Sequence, residues 1–261
     1  MNEVNKTLYI PLYGKAEVSK KGIILNDPTA EKIWQKEGFA LKGKSKSKWL
    51  TYYMGMRSAV FDNWVKEKIS KNTDAIVIHI GCGMDSRINR IGDNTHMWYD
   101  LDFADVIEER KKYYEETTLY KMIKSDARDT DWLSNVPSDK TAVIIMEGVS
   151  MYFQPDELYN TLSKLSSHFK NINLLMDCYT EFSAKASKYK NPINDVGVTA
   201  VTGFDNPNAV AENSSLKFIN EHSMTPTEMI NQLKGFEKVF FKAVFGGKAS
   251  KKMYRLYEFE K

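Results

Sequence analysis

The run Ile78-His79-Ile80-Gly81-Cys82-Gly83 carries a short apolar stretch directly into two glycines one residue apart. Glycine there lets the backbone turn sharply and approach a ligand with no Cβ in the way. Asp100 and Asp102 close the next apolar run, at about the 20-residue offset where a carboxylate accepts hydrogen bonds from a ribose diol. The third position of a dinucleotide fingerprint, which takes Gly or Ala so that the helix packs close, is Ser86. A pyrophosphate turn fits Ser86 poorly, so the pattern favours an adenosyl ligand without phosphates over NAD; the bland alternative is a tight turn that binds nothing.

Two further acids follow apolar runs. Asp126, after LYKMIKS, either accepts the amino group of an adenine or caps the segment that begins Ala127-Arg128. Glu147 follows AVIIM and precedes Gly148, where a buried strand meets a crevice; a carboxylate buried there requires a cationic ligand group or a nearby arginine. Arg57 lies one residue from Met56 in an apolar helical stripe, and either snorkels to solvent or aims its guanidinium at a ligand carboxylate. Among the histidines, His79 and His96 fall within expected strands and His168 near a helix end, which are structural positions. His222, at the edge of an irregular segment, is the one candidate base, against a plain surface role. Cys82 and Cys178 are far apart with no CxxC spacing, so two buried thiols are expected, with neither disulfide nor metal.

The elements that position these residues are legible as a rhythm. AIVIHI (75–80), THMWYDLD (95–102), LYKMIKSD (119–126), TAVIIME (141–147) and NINLLMD (171–177) alternate with polar or amphipathic stretches such as ADVIEERKKYYEE and PDELYNTLSKLSSHF. Short apolar runs between helical patterns are βαβ units around a parallel sheet, which makes the fold class α/β, doubly wound. Upstream, Asp27-Pro28-Thr29 is a helix entry, and the spacing of Trp49, Tyr53, Met56, Val60, Trp64 and Ile69 predicts one long helix with a buried face. Downstream, TPTEMINQL reads as a helix capped by Thr225, and FEKVFFKAVF and KKMYRLYEFE, separated by GGKAS, as an antiparallel hairpin. A parallel sheet with such an ending is typical of methyltransferases.

With 261 residues, 42% hydrophobic and 27% charged, the chain suits one domain. No stretch approaches the roughly 20 apolar residues of a membrane span and the opening lacks a signal-peptide pattern, so cytoplasmic residence without a membrane partner is expected. The net charge is +3, yet only six of the 37 basic residues are arginine, and the Lys-rich run at 42–48 is mixed with Gly and Ser as in a solvated loop. A nucleic-acid partner is not expected.

The combination GCGMDSR, YDLDF and MEGVSMYF, with TLYIPLYGKA, GIILNDPTAEKI, MRSAVFDNWV and SDARDTDWL, resembles the leucine carboxyl methyltransferase superfamily over nearly the whole chain, within it the tetracenomycin-type polyketide O-methyltransferases. The resemblance implies a class I, Rossmann-like methyltransferase with a mostly parallel seven-stranded sheet and an N-terminal helical cap. It implies one domain, 1–261: a cap at 1–72, a cofactor core at 73–180, a lid or substrate insertion at 181–224, and a C-terminal helix and hairpin at 225–261. It further implies S-adenosylmethionine as cofactor, S-adenosylhomocysteine as product and no metal. Carried over by position, Arg57 and Lys21 hold the methionine carboxylate, Gly81 and Gly83 form the cofactor loop, Asp102 (or Asp100) takes the ribose, Asp126 and Ala127 flank adenine, and Glu147 contacts the amino-acid end.

Methyl transfer from a sulfonium is an in-line displacement, and alignment alone can supply about 7 to 11 kcal/mol. The expected activity is O-methylation of a small-molecule hydroxyl or carboxylate, the latter needing no base. The alternatives are methylation of a protein C-terminal carboxylate, or cofactor binding without turnover, with an NAD-dependent oxidoreductase more distant.

Overall fold

The computed structural model describes residues 8–37, 41, 43–190 and 201–261. Within them the strands β1 (Ala75–Ile80), β2 (Met97–Asp102), β3 (Tyr120–Lys124), β4 (Thr141–Met146), β5 (Asn171–Tyr179), β6 (Lys217–Glu221) and β7 (Tyr254–Glu260) form one seven-stranded sheet in the order β3-β2-β1-β4-β5-β7-β6. β1 to β5 pair in parallel, and β7 runs antiparallel between β5 and β6. The five apolar runs identified by their rhythm are the five parallel strands.

Strand alternation splits the core in two. Val77, Val143 and Leu175 face one side with the residues of a long helix, whereas Ile76, Ile78, Ile144 and Leu174 face the other with Leu158, Leu162 and Leu165. Helices α1 (Tyr9–Lys20), α2 (Pro28–Glu37) and α3 (Lys48–Lys71) precede the sheet. Asp27 caps α2 as expected, accepting from Ala30 N at 2.9 Å. The middle of α3, residues 51–62, is buried on every side, because α1 crosses the face of α3 turned away from the sheet. Small residues permit the crossing: a Cβ on Gly14 would lie 2.8 Å from Met54 Cβ, and one on Gly55 2.8 Å from Val18 Cγ2. α1 shows no apolar periodicity because it buries Lys15 and Ser19 along with Leu12, Ala16 and Val18.

Helices α4 (Arg87–Ile91), α5 (Ala104–Arg110), α6 (Pro155–His168), α7 (Glu181–Lys190) and α8 (Pro207–Ser214) link or follow the parallel strands. They are succeeded by α9 (Thr227–Ile230), α10 (Gly235–Phe245) and α11 (Gly247–Ser250). Here the structure corrects the sequence reading. FEKVFFKAVF is α10, not the first strand of a terminal hairpin; its aromatic and β-branched content suggested a strand, but Phe241 and Phe245 lie a helical turn apart, rings 5.0 Å apart, on one inward face. The antiparallel partner of β7 is β6, whose sequence KFINE leaves three of five residues exposed, so no apolar alternation announces it. Thr225 caps nothing: α9 starts behind Pro226, and Thr225 Oγ1 donates to the Phe245 carbonyl at 2.7 Å. Of the stretch 181–224, expected as one insertion, α8 packs on α6 and β6 belongs to the sheet, while 191–200 lie outside the described residues. No helix among the described residues is long and apolar enough to cross a membrane.

Candidate active site

From β1 the chain proceeds outward to β2 on one side, and β4 lies on the other, so the strand order reverses between them. Ligands in open α/β sheets bind beyond the strands' carboxyl ends at such a point. There, under α1 and α3, lies a cavity of about 450 Å³ lined by Gly81, Gly83, Asp102, Glu147 and Arg57, five of the residues singled out in the sequence.

The loop after β1 is fixed by its backbone. Gly81 and Gly83 have φ of +67° and +50°, and Gly81 N and Cys82 N both donate to the Leu101 carbonyl, at 2.8 and 3.1 Å. A Cβ on Gly81 would overlap Val149 Cγ2. Asp102 ties the loop to the end of β2: Oδ2 accepts from Gly83 N at 2.7 Å and Oδ1 from Phe103 N at 2.8 Å. Burial raises its carboxyl to about 6 against the lowering effect of these two N–H groups. Asp100 instead points beneath the loop, where it accepts from Arg110 Nη2 (2.5 Å), the Tyr120 hydroxyl (2.6 Å) and Trp98 Nε1 (2.9 Å). Burial pushes its pKa up, but Arg110 and its other partners hold it down to about 2. Asp100 is fully engaged and does not line the cavity; Asp102 does.

Below the loop lies a buried ion network that was only partly foreseen. Arg57 Nε donates to Glu147 Oε1 at 3.0 Å and its Nη1 to Asp177 Oδ2 at 3.1 Å. Ser58 Oγ donates to the same Oε1 at 2.9 Å, and Arg87 Nη2 bonds Oε2. The cationic partner that a buried Glu147 required is therefore Arg57 with Arg87. Burial would raise Glu147, but the two guanidiniums hold it down to about 2. Asp177 has Arg57 alone as cation among the described residues; burial prevails and raises its carboxyl to about 7. Arg87 Nε also donates to Asp62 Oδ1 (2.7 Å), while Arg90 binds Asp62 (2.7 Å), Asp27 (2.8 Å) and Asp85 (2.9 Å). His79 Nε2 faces Arg87 Nη1 at 3.1 Å; a guanidinium only donates, so this nitrogen accepts and the proton sits on Nδ1, 3.5 Å from Asp100. Burial lowers the pKa of His79 and keeps it neutral.

The other end of the cavity is aromatic. Trp49, Tyr53, Tyr152, Tyr179, Phe245 and Tyr254 contribute to its wall, with Met54, Met151 and Met253 between them. The Tyr179 and Tyr254 rings meet edge-on at 4.6 Å. The Tyr53 hydroxyl donates to Met224 Sδ at 3.3 Å and the Tyr254 hydroxyl to Met151 Sδ at 4.0 Å. Thioether sulfur is a weak acceptor, so both donors are bonded below their capacity. Burial pushes both phenols up, and they stay protonated at neutral pH.

Four expected residues do not line the cavity. Lys21, just past the end of α1, donates to the Tyr52 hydroxyl at 3.0 Å. Lys15 and Lys44 do line the cavity; Lys15 stands six residues before Lys21 and so on a different face of the helix, 2.5 Å from Asp85. Asp126 caps its own turn, accepting from Arg128 N at 3.0 Å and pairing with the Arg128 guanidinium; Ala127 packs into the core. His222 Nε2 is 2.6 Å from Glu258 Oε2 on β7, and Glu258 is held at its other oxygen by Lys68 of α3 at 2.5 Å. That places His222 in a bracket between sheet and α3, away from the cavity. Lys15, Asp85, Arg87, Arg90 and Asp177 were missed; the available signal was the clustering of Asp85, Arg87 and Arg90 just after the glycine loop in a chain with six arginines.

Comparison with known proteins gives a family and a fold. The model of the family described as leucine carboxyl methyltransferase matches residues 13–166. The tetracenomycin polyketide synthesis O-methyltransferase of Streptomyces glaucescens is 26% identical over 238 residues, spanning 90% of this chain and 88% of the relative. An S-adenosyl-L-methionine-dependent methyltransferase of Gibberella zeae is 28% identical over 184 residues, 64% of this chain and 61% of the relative. A Thermobifida fusca protein assigned as a methyltransferase superposes with a TM-score of 0.58 at 9% identity, covering 95% and 94% of the two chains. Magnesium protoporphyrin IX methyltransferase from Synechocystis superposes at 0.51 and 10% identity, over 88% and 93%. These structural likenesses show the fold.

Proposed function

The chain belongs to the leucine carboxyl methyltransferase family and is an S-adenosylmethionine-dependent methyltransferase; from that premise we propose that it methylates an ionised oxygen, a carboxylate or acidic hydroxyl, on a small apolar acceptor carrying a flat ring. The observation that carries this reading is one cavity with two unlike ends: a charged end framed by the Gly81–Gly83 loop, and an aromatic end with two protonated tyrosine hydroxyls resting on sulfur. The polyketide acceptor of the Streptomyces relative supports the same class.

The residues present fit the cofactor. Gly81 and Gly83 present bare backbone to the cavity, and Asp102 faces it with acceptor capacity beyond its two backbone bonds, as a ribose diol requires. Lys15 and Arg57 line the charged end and would hold the methionine carboxylate, with Glu147 and Asp177 fixing Arg57 in place. Glu147 has its acceptors occupied by Arg57, Arg87 and Ser58, and acts through Arg57. When bound, S-adenosylmethionine supplies an electrophilic methyl group. The protein aligns the acceptor, excludes water with its aromatic wall, and donates hydrogen bonds from Tyr53 and Tyr254 to an acceptor oxygen that is already anionic. No proton need be removed from such an oxygen. α1 to α3 would form the cap of a single catalytic unit, and α7 part of its cover.

The test is methyl transfer from radiolabelled S-adenosylmethionine to a panel of aryl carboxylates, acidic phenols, aliphatic acids, primary amines and peptides with free C-terminal leucine. Product with ring-bearing carboxylates or phenols is expected. Transfer confined to amines or to the peptides would refute the acceptor assignment.

A further inference from the structure

The rim of the cavity carries an apolar surface that the fold leaves uncovered. On α10, Phe241 is fully buried, whereas Phe236, Val239 and Val244 are 72%, 67% and 43% exposed. Positions 236, 239, 240, 243 and 244 recur at three and four residues and so share one outward stripe. Phe240 joins the stripe to the cavity, its ring 4.4 Å from Trp49, which lines the wall. At another part of the same mouth Met253 lines the cavity, and Phe182 stands beside it: Thr180 donates to the Met253 carbonyl at 3.3 Å and to the Lys252 carbonyl at 2.8 Å, which holds the start of α7 against that turn. Met253 is 53% and Phe182 70% exposed. Single exposed apolar residues are ordinary, but five around one opening mark an interaction surface.

The charge around them is one-sided. Between Lys234 and Met253 the chain carries six lysines and one acid, Glu237, which is already bound by Lys48 and the Tyr52 hydroxyl. Lys251 pairs with Glu221, whereas Lys242, Lys248 and Lys252 are exposed and have no acidic partner among the described residues. Protruding phenylalanine and valine within a lysine rim is the composition of a helix lying in the headgroup layer of an anionic bilayer, with aromatic side chains in the acyl boundary and lysine stems snorkelling back to phosphate.

We propose that this face docks peripherally on an anionic lipid surface and sets the cavity mouth against the bilayer, so that an apolar acceptor enters the aromatic end from the lipid. Lipid is favoured over an acidic protein because unpaired lysines rim the exposed residues, which are divided among the α10 stripe, Phe182 at the start of α7 and Met253 in the turn before β7; a fluid acyl layer receives such separated points independently, whereas a protein partner needs a contiguous surface. The docking stands on the rim alone; acceptor delivery rests on the reading of the cavity given above.

The full chain is sedimented with phosphatidylcholine vesicles, with and without phosphatidylglycerol. Binding at least about tenfold stronger to the anionic vesicles is expected, reduced at least about tenfold by the double variant Phe236→Asp/Val239→Asp and several-fold by Lys242→Gln/Lys248→Gln. These positions do not line the cavity, so unchanged titration with S-adenosylmethionine certifies the fold of both variants. Absence of vesicle binding, equal binding to both vesicle types, or binding indifferent to the aspartates overturns the proposal, as does a dimer in solution that the aspartates dissociate. Vesicle binding without cofactor binding would sink the cofactor site and leave the docking; the reverse would sink the docking alone.

Discussion

The two ends of the cavity are built on opposite principles. At the charged end Glu147 and Asp85 have every nearby cation committed, and Arg57, Arg87 and Arg90 each bridge at least two carboxylates from different elements. Such a network is fixed before any ligand arrives, because an unpaired charge in that setting is costly. At the aromatic end the polar atoms are tyrosine hydroxyls on sulfur, and methionine separates the rings. That wall exchanges weak contacts at small cost and adapts. The difference teaches which end belongs to an invariant ligand and which to a variable one.

The comparison breaks most visibly at Arg87, whose guanidinium is fully buried and shared by Asp62 and Glu147. Arg87→Ala removes one of the two cations that each of these buried carboxylates has, leaving Asp62 to Arg90 and Glu147 to Arg57, and is expected to cost about 3 kcal/mol in urea denaturation. Tyr254→Phe, at the other end, is expected to cost under about 1 kcal/mol. Equal losses would erase the contrast.

Asp102→Ala comes next, with an expected loss of about tenfold to a hundredfold in S-adenosylmethionine affinity at nearly unchanged stability. Tyr254→Phe should do the converse, lowering methyl transfer several-fold while cofactor affinity holds, as measured by titration alongside turnover.

A pH profile sharpens the assignment of Asp102. Its carboxyl sits at about 6 in the fold, against roughly 3.9 for an unfolded aspartate. Ionisation therefore opposes folding: the stability it contributes is complete below pH about 4 and lost as pH rises through about 6. Cofactor binding runs the other way, since only the ionised carboxylate accepts from both ribose hydroxyls, and affinity should rise through about pH 6. In Asp102→Asn both slopes should vanish. The smallest effect belongs to His222→Ala, expected to leave turnover within about twofold, because the imidazole serves Glu258 and not the cavity.

Most of the sheet was legible because β1, β4 and most of β2 and β5 are buried on both faces and read as largely apolar runs, and β3, although Lys121 and Lys124 stand exposed, falls in the same rhythm. What escaped did so for stated reasons. α1 buries lysine and serine and shows no stripe, so Lys15 was overlooked in favour of Lys21; β6 is an exposed edge; α10 is apolar on two sides and mimics a strand. At the site, the residues set by backbone, Gly81, Gly83 and Asp102, were readable from spacing. Arg87, Arg90 and Asp177 were not, since the α3 partners that bind them, Asp62 and Arg57, lie 25 to 120 residues away and meet them only when α3 packs on the sheet.

The central claim is that the charged end holds S-adenosylmethionine through Asp102 and Arg57. Isothermal titration of the wild-type protein and of Asp102→Ala with S-adenosylmethionine and S-adenosylhomocysteine tests it most directly. The account predicts saturable binding of both ligands to the wild type, weakened at least about tenfold in the variant; no binding by the wild type, or equal affinity in the variant, would contradict it.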